Sequence, residues 1–375
     1  MAKFIVHIGD GKCGSSSMQA ALFDARDRLR EMGLAYASHH RTSGNFCFGT
    51  LLGKNTRGNA EQQRGFALQA IKTLQSQLDH SDYIIISSEA FLTLDPEEVV
   101  EILQFITLDI ERIDVIAYVR DPLGMYLSMA QQLIKSSHRF PRPDTYVRSL
   151  DRMLDNWNSF PMISSVTVRM FDRNSLVGGN AVADFEHVVK SLTGKDLGLE
   201  HINENSSLST EQMVVLQDYR AQFCRDSDGK MIPPSTRMID FFAMMNESGM
   251  VGTKAVLSPP AAALVGNNNA DIVERLNKRH GFAMRCPRPT PEDLPPASTD
   301  WSRISSILTE VKPAYVHNLK MLVPAFNPAL KDGDMDKGLR ALNKLVEMEP
   351  GKKSAIERAT KNYWTTESLA GMIAN

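Results

Sequence analysis

Phe4-Ile-Val-His-Ile-Gly-Asp-Gly-Lys-Cys-Gly-Ser-Ser-Ser-Met-Gln19 is the stretch that decides the fold. A short apolar run ends in glycines, one lysine and three consecutive hydroxyls, and an amphipathic pattern follows. This reads as strand, tight loop and helix N-terminus. The first N–H groups of a helix have no partner within it, and the helix dipole adds partial positive charge there. Small residues let an anion approach closely, so the loop reads as a phosphate cradle.

An ordinary nucleotide-binding P-loop follows G-x-x-x-x-G-K-[ST]. Gly9 and Gly14 have that spacing, but Ser15 stands where the lysine belongs. The loop's lysine is Lys12, two residues before Gly14, where it suits the terminal group of a shorter anion. A second motif lies downstream. Residues 113–119 form a β-branched run fit for a buried strand. The run ends at Arg120-Asp121-Pro122, and Ser128 follows eight residues after Arg120. Pro122 suits a first helical position, because its missing N–H would be unpaired there anyway. Arg120 offers a planar fork of donors, and Ser128 two turns into the next helix could join it on one phosphate.

The first stretch resembles the 5′-phosphosulfate loop of sulfotransferases, which in many bacterial members runs H-I-G-x-x-K-T-G-T-T-S. Here Cys13 replaces the first threonine, and Ser15 and Ser16 replace the other two. Serines keep the hydroxyl donors, whereas a cysteine is a weak donor that retains its backbone N–H. The spacing of Arg120 and Ser128 resembles the family's 3′-phosphate motif. Asn205-Ser-Ser-Leu-Ser209 resembles another family segment, although Ser209 and Gln212 also make a plain capping box. The resemblance spans roughly 3–285. It implies 3′-phosphoadenosine-5′-phosphosulfate (PAPS) as donor and 3′-phosphoadenosine-5′-phosphate (PAP) as product. It also implies an α/β, three-layer P-loop-like fold with a central parallel sheet. The expected donor-site residues are Gly11, Lys12, Cys13, Gly14, Ser15, Ser16, Ser17, Arg120 and Ser128.

Elsewhere the pattern alternates strand and helix. Strands are expected near 3–8, 82–88, 113–119 and 166–171. The first helix carries Met18, Ala21, Leu22, Ala25, Leu29 and Met32 on one face and stops at Gly33. A helix near 65–79 presents Phe66, Leu68, Ile71, Leu74 and Leu78. Asp95, Pro96 and Glu98 read as N-cap, N1 proline and capping-box glutamate. Strands separated by helices imply parallel pairing, with ligands at the strands' carboxyl ends. Lys12, Glu89 and Arg120 all fall at such ends.

Hydrophobic residues at 42% and charged residues at 23% are ordinary for a globular chain. A net charge of −2 argues against a general nucleic-acid binder. The cysteines are widely spaced without a C-x-x-C, so neither a disulfide framework nor a zinc site is expected. The start lacks a signal-peptide core, and no apolar run approaches about 18 residues, which predicts a cytoplasmic chain without stable membrane insertion. Three regions are expected: a catalytic domain over 1–285, a proline-rich linker over 286–300 and a helical extension over 301–375. Helices are expected near 335–347 and 352–362, and Gly338-Leu-Arg-Ala-Leu with Pro350 beyond it resembles half a tetratricopeptide unit. They need a surface to cover their apolar face, on the main domain or on a second subunit.

Sulfuryl transfer needs a base for the acceptor hydroxyl, positive partners for the sulfuryl oxygens and neutralisation of the leaving phosphate. Lys12 and the loop N–H groups suit the last two, and no metal is required. Family members place a catalytic histidine or carboxylate near the end of the second core strand, or a glutamate in the segment after the first helix, and Glu89 is the expected base. His39 and His40 are the alternative base, and His7, inside the first strand, reads as a hydrogen-bonded structural residue. The family's carbohydrate-type members imply a glycan or small hydroxyl-bearing acceptor, and the glycine-rich loop of 40–65 is a candidate to bind it. Two other classes compete: a P-loop kinase or NTPase, which needs a lysine after Gly14, and a non-catalytic PAP-binding module of the same fold.

Overall fold

The computed structural model of the chain describes residues 1–54, 58–201, 207–247, 252–321 and 323. The expected helices near 335–347 and 352–362 and the start of the Asn205 segment lie outside the described residues. The described chain divides into two compact units. Unit 1 takes 1–121, 148–204 and 271–285; unit 2 takes 122–147, 205–270 and the chain from 286. Residues 122–147 and 205–270 of the span expected as one catalytic domain therefore belong to unit 2.

Unit 1 is built on five parallel strands, β1 (Ala2–Gly9), β2 (Leu34–Ala35), β3 (Tyr83–Ser88), β4 (Ile110–Val119) and β5 (Ser165–Met170). Their order is β2-β3-β1-β4-β5, which puts β1 in the centre. Both neighbours pair along β1: Phe4 sits opposite Ile84 and Ile113, and His7 opposite Ser87 and Ile116. Parallel strands of this kind are apolar on both faces because helices cover both. Ile5, Ile85, Ile116 and Tyr118 point to one face and are buried, and Phe4, Val6, Ile84, Ile86, Val115 and Ala117 are buried on the other. β4 starts three residues before the expected 113, because Ile110 and Arg112 still pair with Ala2 and Lys3, while the exposed Glu111 and Arg112 interrupt the apolar run. β2 went unforeseen, being two residues long.

The first face is covered by α1 (Ser15–Glu31) and α6 (Ala181–Thr193). Met18, Leu22 and Leu29 of α1 pack with Phe185, Val188 and Val189 of α6 over Ile5, Ile85 and Ile116. Each such side chain contributes about 1.5–3 kcal/mol on full burial. Gly33, at φ 75°, ends α1. α2 (Ala60–Gln77) begins earlier than the expected 65, because Asn59 caps it by accepting from the Gln62 N–H at 3.0 Å. The end of the expected 40–65 loop is thus helix, and a 3-10 turn over Phe46–Leu52 buries Phe48 and Leu51 within it. α3 (Pro96–Gln104) has the expected cap, with the Asp95 N–H donating to Glu98 Oε2 at 3.1 Å. α5 (Leu150–Ser159) buries Leu154 and Trp157.

Unit 2 is helical: α4 (Pro122–Leu133), α7 (Thr210–Phe223), α8 (Pro233–Glu247), α10 (Pro313–Lys320) and the first part of α9 (Pro259–His280). Its core joins Tyr126, Leu216, Phe241, Phe242, Val265, Trp301 and Tyr315. Arg220 is wholly buried there, donating to the Ser235 hydroxyl at 3.1 Å and to the Ser227 carbonyl at 2.8 Å. The Ser209–Gln212 capping box opens α7 as expected. Residues 286–300 hold a 3-10 turn at Pro291–Asp293.

Candidate functional site

Carboxyl ends of adjacent strands bring the expected residues of unit 1 together. β1 leads into the loop, β3 ends immediately before Glu89, β4 immediately before Arg120, and β5 immediately before Phe171. The loop is shaped by two left-handed residues, Lys12 at φ 66° and Gly14 at φ 78°. For Lys12 that conformation costs about 1–2 kcal/mol relative to the ordinary helical region. A Cβ on Gly14 would lie 2.7 Å from the Ala181 Cβ and 3.0 Å from the Phe171 ring, so the loop's backbone rests directly on those two residues.

Gly14 is the N-cap of α1 and offers no side-chain cap, and the first turn of α1 carries no acid. The opening amides of α1 therefore keep the donor capacity and partial positive charge expected of an anion cradle. The side chains divide their labour unevenly. Lys12 and Ser16 are exposed, whereas Ser15 and Ser17 are buried. The Ser15 hydroxyl has no hydrogen-bond partner and faces Gly9, 2.9 Å from where a Cβ would stand. Cys13 is fully buried among Ile5, Met18 and Phe185, so it faces the loop's ligand side with backbone alone. Burial pushes its thiol pKa well up, and the charges of Asp10 and Glu89 push it the same way.

Arg120 donates to the Lys12 carbonyl over 3.5 Å, and its guanidinium carbon lies 5.9 Å from the centre of the Phe171 ring. Glu89 is half-buried in the 3-10 turn that follows β3 and acts electrostatically on Cys13. Ser128 is half-buried on α4 and belongs to unit 2. His39 and His40 are exposed, and the His39 ring stacks on Phe66.

Beneath the loop lies a buried polar network. His7 Nδ1 is 2.8 Å from the Ser87 hydroxyl, which also accepts from Gln19 Nε2 at 3.2 Å. Asn45 clamps the same strand end: its side-chain oxygen accepts from the Ser87 N–H at 2.9 Å and its own N–H donates to the Ser87 carbonyl at 2.7 Å. Burial lowers the His7 pKa to about 4, so the ring is neutral. The structural role expected for His7 is the one it has.

Asp10 was overlooked by sequence reasoning, although an acid inside a loop that reads as a phosphate cradle was signal enough. It is 1% exposed, and its N–H donates to the Tyr118 carbonyl at 2.8 Å. Its Oδ1 accepts from Arg148, a residue that no motif announced, while its Oδ2 is buried without a partner. Burial raises the Asp10 pKa to about 6, against the opposing charges of Arg148 and Arg120. Among the described residues no three metal-ligating side chains gather, and no helix is long and apolar enough to cross a membrane.

No protein-family model matches the chain, and no curated protein does. A solved structure, the 54 kDa signal recognition particle protein of Aeropyrum pernix K1 in complex with GDP, aligns over 100% of this chain and 78% of its own, at 12% identity and a TM-score of 0.23. So low a score carries no argument, and the α/β fold of this chain rests on its own strand order and parallel pairing.

Proposed function

We propose that the chain is a sulfotransferase that moves a sulfuryl group from PAPS to a hydroxyl of a carbohydrate or glycolipid-like acceptor. One observation carries the reading: an uncapped helix N-terminus, reached through a left-handed turn at Lys12 and Gly14, beside an arginine at the end of the neighbouring strand. The absence of a lysine after Gly14 favours a phosphosulfate over a nucleoside triphosphate.

PAPS fits the chemistry of this donor set, which offers backbone N–H groups, two cations and an exposed hydroxyl. When bound, it supplies an activated sulfuryl group on a phosphate leaving group. The N–H groups of 14–17 and the Ser16 hydroxyl orient the 5′ end, and Lys12 neutralises charge that builds on the leaving phosphate. Arg120 takes the 3′-phosphate through its donor fork. Glu89 accepts the proton of the acceptor hydroxyl as the new oxygen–sulfur bond forms and the bond to the phosphate breaks. The reading does not rest on Ser128.

Calorimetric titration with PAP, run in parallel with ATP and magnesium, tests it. PAP binding much tighter than ATP binding supports the donor site and justifies a screen of sugar and lipid acceptors. Preference for ATP moves the protein to the kinase and NTPase class. Tight PAP binding with no transfer to any acceptor supports the non-catalytic module.

A further inference from the structure

A cleft lies between α1 and α2 within unit 1, and none of the residues lining it belongs to the loop. It encloses about 250 Å³. At roughly 30 Å³ for each water of the liquid, that is room for about eight waters, and it falls below the roughly 300–1,000 Å³ of sites for drug-sized molecules. A space of this size suits a ligand of about one sugar ring.

Each wall follows helical spacing. Arg26 and Arg30, one turn apart, share a face of α1. Phe66, Gln69, Thr73 and Gln77 recur every three or four residues along α2 and make the other wall. Arg26 donates to the Phe23 carbonyl at 2.6 Å, with its guanidinium carbon 4.3 Å from the centre of the Phe23 ring, and makes no ion pair among the described residues. Arg30 meets Asp27 at 3.5 Å, and both are exposed. The cleft thus sets two guanidinium groups against one carboxylate. Burial raises the pKa of the Tyr36 hydroxyl, which also lines the cleft, so that phenol adds no negative charge. On the other wall Gln69 and Gln77 bring side-chain amides, each able to donate and to accept. The Thr73 hydroxyl donates to the Gln69 carbonyl at 3.0 Å and keeps its lone pairs. The stacked rings of His39 and Phe66, 3.5 Å apart, supply apolar surface beside these polar groups.

We propose that this cleft is a second ligand site, for a monosaccharide that bears one anionic group. Two guanidinium groups a helical turn apart match the oxygens of a single carboxylate, phosphate or sulfate. The amides and the threonine match ring hydroxyls, which likewise donate and accept, and the aromatic pair takes a C–H face of the ring. An inorganic anion would engage only the α1 wall. A flat apolar ligand would leave the arginines and amides without partners, at a cost in desolvation. An acidic sugar uses both walls, and it needs nothing from the loop's own ligand.

Calorimetric titration of the full chain with glucuronate, glucose 6-phosphate and glucose 6-sulfate tests this, with glucose and inorganic phosphate as controls and saturating PAP present in a parallel series. At least one acidic sugar should bind more tightly than both controls, with or without PAP, and the ranking of the three identifies the acid group. Arg26→Ala should weaken that binding by roughly threefold to tenfold, as expected for a charge-assisted contact at a partly exposed site. Gln69→Trp, at an exposed position of α2, should abolish it by filling the cleft while leaving the unfolding midpoint near that of the parent. Glucose or phosphate binding as tightly as the acidic sugars, acidic-sugar binding that survives both variants, or no binding of any acidic sugar at about 10 mM overturns the proposal. PAP binding is read separately in the same protein, so failure here leaves the reading of the loop untouched, and failure of PAP to bind leaves this site standing.

Discussion

His7 and Ser87 meet at 2.8 Å across the β1–β3 pairing, sealing the sheet directly beneath the loop. The ring is wholly buried and neutral, and Asp10, three residues on, is buried too but shifted the other way. Their effects on stability oppose each other. His7 goes from about 4 when folded to 6.5 when unfolded, so the unfolded chain binds more protons between those values and stability rises with pH. Asp10 goes from about 6 when folded to 3.8 when unfolded, so the folded chain binds more protons and stability falls as pH rises through that window. Each contribution is worth roughly 3 kcal/mol, and between about pH 4 and pH 6 they nearly cancel. Denaturant unfolding over this range should show His7→Gln losing stability with rising pH relative to the parent and Asp10→Asn gaining it. Parallel profiles for the two variants would refute the opposed shifts.

Gly14→Ala should damage the loop more than an ordinary exposed glycine substitution. The left-handed φ of 78° costs an alanine about 1 kcal/mol, and the new Cβ at 2.7 Å from Ala181 adds an overpacking cost of about 1–3 kcal/mol. A drop of roughly 2–4 kcal/mol in unfolding free energy is expected, with loss of PAP binding in the fraction that folds. A variant of unchanged stability would show that the loop does not rest on Ala181 and Phe171.

Asp184 on α6 is fully buried and holds the sheet to that helix. It accepts from the Tyr118 hydroxyl at 2.8 Å, from Arg169 Nε at 2.9 Å and from the Val177 N–H at 2.9 Å. Burial alone would raise its pKa, but these donors hold it below the usual carboxylate value. Asp184→Ala strands the Arg169 charge and should cost about 3–5 kcal/mol. Chemical denaturation reads this directly, and a loss below 1 kcal/mol would mean that water replaces the carboxylate easily.

Arg120→Ala tests the donor reading at one atom group. If the guanidinium holds a 3′-phosphate, the variant should bind PAP no better than adenosine monophosphate. Loss of a charge-assisted contact is worth about 1.5–3 kcal/mol, or roughly tenfold to a hundredfold in affinity. Competition binding of the two nucleotides checks it, and a surviving preference for PAP would remove Arg120 from the site.

Local chemistry was legible from the chain. The β1-loop-α1 passage, the stop at Gly33, the caps at Asp95 and Ser209, the buried strands β3 and β4 and the half-buried β5 all announced themselves within a few residues. Backbone geometry and hydrogen bonding act over one turn or one strand, so their signals stay in the sequence. Lys12, Glu89 and Arg120 were legible for the same reason, because each follows a strand that is itself recognisable.

Tertiary structure alone decided which side chains the loop shows and which it hides. Cys13 is hidden by packing with Ala181 and Phe185, and Gly14 rests on Phe171 and Ala181, residues more than a hundred positions away in the chain. The division of Ser128 from the loop's own unit and the two-residue β2 left no periodic trace. Arg148 reaches Asp10 across 138 residues of sequence. A pairing of that kind is set by how β1, the loop and the start of α5 are packed. Linear spacing carries no record of it, because the energy that selects it is burial of charge within an assembled core.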